Sequence, residues 1–221
     1  MTTVLLARHG ESDWNVAGRW QGHADRPLTE QGRAQAERLA ARLATKRLDA
    51  IYSSDLRRAK KTAEIVAARQ GLDVVALREL REVDVGSWSG LTRAEAGKRF
   101  PEAFERWRGG SPGWTDGETY EEMSARTVGA VRRIAADHPD GRVLVVTHGG
   151  PIRALHAVAL GVDIEAYRRL RPVEPNARLS AVCVDDGRFT ELCPASGIDE
   201  LLARDQRERR EAAARPPTPA G

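Results

Sequence analysis

Two short apolar runs, VLLA at residues 4–7 and VLVV at 143–146, both stop at a histidine followed by glycine, in VLLARHG and VLVVTHGG. Runs of this length with no polar alternation read as strands buried on both faces, which require helices above and below a sheet. The intervening residues supply them. Thr29 caps a helical pattern carrying Ala36, Leu39, Ala40 and Leu43 behind Leu28. LDAIYSS is a second strand, after which Asp55 is expected to cap a helix with Leu56, Ala59, Ala63 and Val66 on its apolar face and Gly71 as its stop. DVVALREL is a third extended piece, a long helix is expected from about Tyr120 to Asp137, and PIRALHAVAL follows the second His-Gly with Pro151 in its first turn. ARLSAVCVDDGRFTELC reads as a hairpin turning at DDG. Repeated strand-helix units predict an α/β fold, a three-layer α/β/α sandwich with a mostly parallel central sheet and the hairpin at or near an edge.

The chain has 221 residues, enough for one large domain over residues 1–202 and a tail over 203–221. That tail, ARDQRERREAAARPPTPAG, shows no apolar face and ends in prolines, so disorder is expected there. Residues 86–117, rich in glycine and tryptophan, read as a helical insertion above the sheet. No apolar stretch approaches the roughly 20 residues that span a bilayer, so no membrane contact is expected. VLLA is too short for a secretory signal, which makes the cytoplasm the expected compartment. Cys183 and Cys193, flanking the hairpin turn, are then expected to be reduced and structural. The net charge is +3, but the 35 basic and 32 acidic residues are interspersed. That pattern suits Arg-rich helices and argues against nucleic acid as a partner.

In a parallel sheet, functional groups collect beyond the carboxyl ends of the strands. His9 and His148 are delivered there by the same design and are expected to face one site. Arg8 precedes His9, and Arg58 lies in the first turn of a helix, where backbone N–H groups already favour an anion. Two guanidiniums clamp phosphate oxygens well, with Asn15 as a neutral donor and Gly149 as a backbone amide. An imidazole so placed is either a nucleophile towards phosphorus or a cation stabilising its equatorial oxygens. The leaving oxygen needs a proton from a carboxylic acid, for which RELREVDVGSWSG offers Glu79, Glu82 and Asp84.

Four segments, LLARHGESDWN, SSDLRRAKKTA, LREVDVGSWSGLT and VVTHGGPIRAL, resemble in order the signatures of the histidine phosphatase superfamily, which includes cofactor-dependent phosphoglycerate mutases and many phosphomonoesterases. The resemblance spans about residues 3–192 and implies a phosphoglycerate-mutase-like fold. It also implies that His9 is transiently phosphorylated, that Arg8, Asn15 and Arg58 hold the transferred group, and that His148 is the second phosphate-pocket histidine. Glu82 matches the general acid, and Gln21 and Gly22 fall where the family often lines the substrate entrance.

VGSWSGLT is similar to the phosphatase branch rather than the mutases, so hydrolysis of a small phosphorylated metabolite is the expected reaction, with phosphoglycerate mutase as the alternative. Sugar phosphates, glycerate derivatives, nucleotides and cobalamin-pathway phosphates all stay open as substrates. Trp88, Phe100, Phe104, Trp107 and Trp114 are expected chiefly to pack, with a pocket wall as the second reading; Glu118 and Thr119 occupy the place of a pocket-side turn. No metal or cofactor is expected: His9, His148 and Glu82 lack helical i, i+4 spacing, and Arg8 and Arg58 repel cations. A silent phospho-ligand-binding protein is disfavoured because every proposed catalytic group is present. A homodimer is compatible with the sequence.

Overall fold

A computed structural model describes residues 1–193. Its six-stranded sheet comprises β1 (Thr2–Arg8), β2 (Ala50–Ser54), β3 (Val74–Leu77), β4 (Arg142–Thr147), β5 (Leu179–Asp185) and β6 (Arg188–Cys193), in the order β3-β2-β4-β1-β5-β6. Neighbours among β3, β2, β4 and β1 run parallel, whereas β5 lies antiparallel to β1 and β6 to β5. The expected hairpin therefore forms one edge. Its turn residues Asp186 and Gly187 both have positive φ, 46° and 71°, the twist that joins strands through two residues.

Helices cover both faces, as the unalternated strands require. Leu5, Ala7, Leu144 and Val146 pack under α2 (Glu30–Leu43) and α3 (Arg57–Gln70). Val4, Leu6, Val143 and Val145 pack against α6 (Tyr120–Asp137) and α7 (Gly149–Leu160). All eight strand side chains are completely buried. At about 1.5–3 kcal/mol for each fully buried large aliphatic side chain, β1 and β4 anchor the molecule.

Four shorter helices were not anticipated or only sketched. α1 (Asp13–Val16) is closed by a capping box between Ser12 and Asn15. α4 (Arg93–Arg99) and α5 (Pro101–Arg108) are the helical pieces expected between 86 and 117. α8 (Ile164–Leu170) went unread although Asp163, which caps it by accepting from the Ala166 N–H, was a legible start signal.

The insertion contributes a third apolar cluster, in which Trp88 and Trp114 pack with Tyr120, Met123, Ala154 and Ile164. Phe100, Phe104 and Trp107 join it. Because α6, α7 and α8 supply part of that cluster, the insertion is continuous with the main body. Residues 194–221, including the tail expected from 203, lie outside the described residues, as does the side chain of Cys193. Cys183 is free and buried.

One local expectation is corrected. Asp55 does not cap α3, whose N-cap is Leu56 with no side-chain bond. Asp55 instead receives two hydrogen bonds from the Arg81 guanidinium, at 2.7 and 2.6 Å. A bidentate ion pair outcompetes a single cap bond, and Asp25 accepts from the Arg57 N–H in its place at 2.7 Å.

The loop after β1 lies directly on α2. A Cβ built on Gly32 falls 2.0 Å from the Glu11 carbonyl oxygen. Intrinsic propensity makes Gly→Ala inside a helix favourable by about 1 kcal/mol. At Gly32 the close approach reverses the sign, and Gly32→Ala is expected to cost about 1–3 kcal/mol, read from the urea midpoint. A stabilised variant would contradict the contact.

Candidate active site

The register of β1 on β4 creates the site. Arg8 is paired with Thr147, and the His9 N–H donates to the Thr147 carbonyl at 2.9 Å. The next residue of each strand is a histidine, and the two rings lie with centroids 5.0 Å apart at 59°. His9 is 2% exposed and His148 wholly buried. Both are held well below the ordinary imidazole pKa of 6.5, first by burial and then by the Arg58 cation, with Arg8 adding to the effect. Both rings are therefore neutral at pH 7.

His9 Nδ1 lies 2.7 Å from the Gly10 carbonyl oxygen. A carbonyl only accepts, so Nδ1 carries the proton and Nε2 keeps its lone pair. Gly10 is held in turn by its N–H to Thr62 Oγ1 at 3.0 Å, and Thr62 donates to the Arg58 carbonyl. The imidazole and the arginine are thus tied through one threonine.

Arg58 is completely buried, and its Nη atoms donate to the carbonyls of Ala24 and Gly22 at 2.7 and 2.9 Å. Burial pushes it down to about 10, which leaves it cationic at neutral pH. Arg8 donates from Nη1 to the Glu174 carbonyl at 2.8 Å. Asn15 Oδ1 accepts from Ser12 and from Asn176 Nδ2, so the NH2 end is the donor left for the cavity. Gln21 is fastened through Oε1 by Ser12 Oγ at 2.9 Å.

Arg8, His9, Asn15, Gln21, Gly22, Arg58 and Glu82 all line one cavity of about 510 Å³. His148 is buried outside the lining, with its ring centroid 5.0 Å from that of His9. Gly149 is buried outside the lining, and its neighbour Gly150 lines the wall instead. The Gly150 N–H is committed to Glu82 Oε1 at 3.0 Å, and any Cβ there would fall 2.3 Å from that oxygen. Of the three acid candidates, Glu82 lines the cavity, while Glu79 pairs with Arg133 and Asp84 lies 3.6 Å from His23.

The loop bearing Glu82 is clamped by a residue that sequence reasoning missed. Arg126 on α6 donates to the carbonyls of Glu79, Arg81 and Glu82 and pairs with Glu118 at 2.5 and 2.7 Å. Glu118 thereby serves this clamp and Thr119 caps α6, so neither forms the cavity wall. Among the aromatics, Trp107 and Trp114 line the cavity together with Trp20, which was also missed. Arg153 and Arg168 are among the further lining residues that were not anticipated. Arg153 was traceable as a cation one turn and a half beyond His148 on the same helix; Arg126 and Arg168, in helices remote in sequence, carried no such mark.

Five of the seven buried side-chain polar atoms without a hydrogen-bond partner among the described residues belong to this place: Nε of Arg8, Arg58 and Arg153, and both ring nitrogens of His148. Unpaired buried donors are scarce in native interiors, where they cost about 1–3 kcal/mol each. They cluster around neutral imidazoles and fixed guanidiniums, an arrangement chemically suited to an anion, and His9, whose Nε2 keeps its lone pair, lines the same cavity.

Comparisons with known proteins identify the family. Residues 4–194 match the model of the histidine phosphatase superfamily (branch 1). Phosphoserine phosphatase 1 of Hydrogenobacter thermophilus is 37% identical over 169 residues, covering 76% of this chain and 80% of that protein. YhfR of Bacillus stearothermophilus superposes with a TM-score of 0.82 at 35% identity, over 88% of this chain and 97% of the other. A mycobacterial glucosyl-3-phosphoglycerate phosphatase in complex with VO3 gives 0.78 at 33% identity, over 87% and 98%. The chain belongs to the histidine phosphatase superfamily.

Proposed function

We propose that this phosphatase hydrolyses monophosphate esters of small metabolites through a covalent phosphohistidine on His9. The observation that carries the reading is the Nδ1–H bond to the Gly10 carbonyl, which presents a neutral Nε2 inside an arginine-lined cavity.

His9 Nε2 attacks phosphorus, and the ester P–O bond breaks. Glu82, the carboxyl that lines the cavity, gives its proton to the departing oxygen. Water then attacks the phosphohistidine, Glu82 takes the proton back, and the P–N bond breaks to release inorganic phosphate. Arg8, Arg58 and Asn15 hold the three equatorial oxygens throughout. An arriving dianion also reverses the electrostatics at His148, drawing a proton onto it and supplying a partner for ring nitrogens that have none in the protein.

Transfer to a second hydroxyl, the mutase course, would pass through the same phosphohistidine. The two are separated by incubating the enzyme with p-nitrophenyl phosphate and with 3-phosphoglycerate. Release of inorganic phosphate from either is expected, and isomerisation of 3-phosphoglycerate without such release would overturn hydrolysis.

His9→Ala is expected to lower kcat by three orders of magnitude or more, on the order of the loss of a covalent nucleophile. Acid-quenched mass spectrometry of the wild type during turnover should show the phosphoryl adduct on this residue. Glu82→Gln is expected to slow alkyl phosphates far more than p-nitrophenyl phosphate, whose leaving group departs with little protonation. Equal losses for both would assign the acid elsewhere.

The neutral histidines also set a pH dependence of folding. Their folded pKa values lie below 6.5, so the unfolded chain binds protons that the folded one refuses. Stability is fully present above pH 6.5 and falls as the pH drops below it, by about 1.4 kcal/mol per histidine per pH unit. Paired carboxylates such as Asp55, lowered from 3.8, contribute only at much lower pH. Urea unfolding between pH 7.5 and 5.5 should show this decline, with a shallower slope in His9→Ala. A flat profile would contradict the burial of neutral rings.

A further inference from the structure

Glu82 is held through its backbone as well as through its carboxyl, and the side chains that hold the backbone stand outside the cavity. It lies in residues 82–85, which have no regular structure. Its Oε1 accepts from the N–H groups of Gly150 and Val83, both at 3.0 Å. Its carbonyl oxygen accepts from two different segments, Arg126 Nη2 on α6 at 2.8 Å and His23 Nε2 at 2.9 Å, which uses both lone pairs. A carbonyl only accepts, so Nε2 of His23 carries a proton, and the ring donates to Glu82 whether it is neutral or cationic. Nδ1 lies 3.6 Å from Asp84 Oδ2, beyond hydrogen-bond distance.

His23 occupies a particular place in the chain. It sits in a turn closed by the Ala24 N–H to the Gln21 carbonyl at 2.9 Å, between Gly22 and Ala24, the two residues whose carbonyls accept from Arg58. Gly22 takes a φ of 49°, and a Cβ built on it would fall 2.8 Å from Val85 Cγ2 and 3.0 Å from the Val85 nitrogen. Only a residue without a side chain allows the turn to lie this close to the loop that bears Glu82. A single turn therefore fixes the guanidinium of Arg58 through two carbonyls and the peptide of Glu82 through one imidazole.

We infer that His23 is a positioning residue for the hydrolysis: its Nε2–H sets the Glu82 peptide, and with it the reach of the acid, relative to the Arg58 guanidinium. The inference rests on the phosphatase reading given above, with Glu82 as the acid, and adds the residue that joins the Arg58 turn to the acid's loop. His23 does not line the cavity, so it acts through Glu82 and not on a ligand. Proton transfer to a departing oxygen requires the acid within hydrogen-bond reach, and a small misplacement of it is costly. The phosphoryl group is held by side chains whose own hydrogen bonds do not involve the His23 ring. Loss of the His23 bond is thus felt where the leaving group needs a proton and not where phosphate is bound.

The test uses two aryl esters of similar shape, p-nitrophenyl phosphate and phenyl phosphate, of which the second has the more basic leaving group. His23→Asn removes the bond, because the shorter amide puts its NH2 near the Nδ1 position, whereas His23→Gln puts it near the Nε2 position and keeps a donor for the Glu82 carbonyl. His23→Asn is expected to lower kcat/KM for phenyl phosphate about five- to tenfold more than for p-nitrophenyl phosphate, the worth of one hydrogen bond, with inhibition by inorganic phosphate unchanged. His23→Gln is expected to restore the wild-type ratio. In a Glu82→Gln background, His23→Asn should change the ratio no further, since both substitutions act on the same proton transfer. Equal losses on the two esters, weakened phosphate inhibition, or a ratio that does not distinguish Asn from Gln would overturn the positioning role and leave the phosphatase reading standing. No phosphate released by the wild type from either ester would overturn the phosphatase reading itself.

Discussion

The parallel pairing of β1 with β4 is the constraint on which the rest of this molecule depends. Arg8 opposite Thr147 places the following histidines side by side, 5.0 Å apart, although 139 residues separate them in the chain. A slip of β1 by one residue would turn Val4 and Leu6 towards the opposite apolar cluster and carry one histidine away from the other. Two packed faces, one under α2 and α3 and the other under α6 and α7, resist that slip. The core thus holds the register that brings the two histidines together.

Burial and positive charge then act on the imidazoles in the same direction. Desolvation disfavours the cation, and Arg58 and Arg8 disfavour it further, so the His9 ring is kept neutral, the form the proposed nucleophile requires. The Gly10 carbonyl takes the part that a carboxylate plays elsewhere, selecting the tautomer while adding no charge that would repel phosphate. The arginines are built in with comparable economy. Arg58 is fastened to the carbonyls of Gly22 and Ala24, so its orientation is set before any ligand arrives.

The carboxylate side of the site is assembled from different parts. Glu82 lies on a loop without regular structure, yet Arg126 grips three carbonyls of that loop and Gly150 donates to Oε1 from the first turn of α7. The helix that follows His148 therefore also positions the candidate acid, which couples the two halves of the proposed chemistry through a single element. The insertion closes over them, and its aromatic cluster is at once a small core and one wall of the cavity.

The sequence by itself determined the layers, most element boundaries and the group of residues gathered at the site. Runs without alternation, a threonine cap at Thr29 and the left-handed stop at Gly71 are local signals, each acting within a few residues. Arg8, His9, Asn15, Arg58 and His148 were legible because they sit in or beside such signals, at strand ends and helix starts. The family resemblance already favoured Glu82 among the acids Glu79, Glu82 and Asp84, and tertiary structure placed it in the cavity lining; tertiary structure alone decided that Gly150 and not Gly149 forms the wall, and that Asp55 binds Arg81 rather than α3. It also brought in Arg126, Arg153 and Arg168. Those choices turn on long-range competition for hydrogen bonds and counter-charges between segments far apart in the chain, and a side chain's nearest neighbours in sequence hold no record of which distant partner it meets.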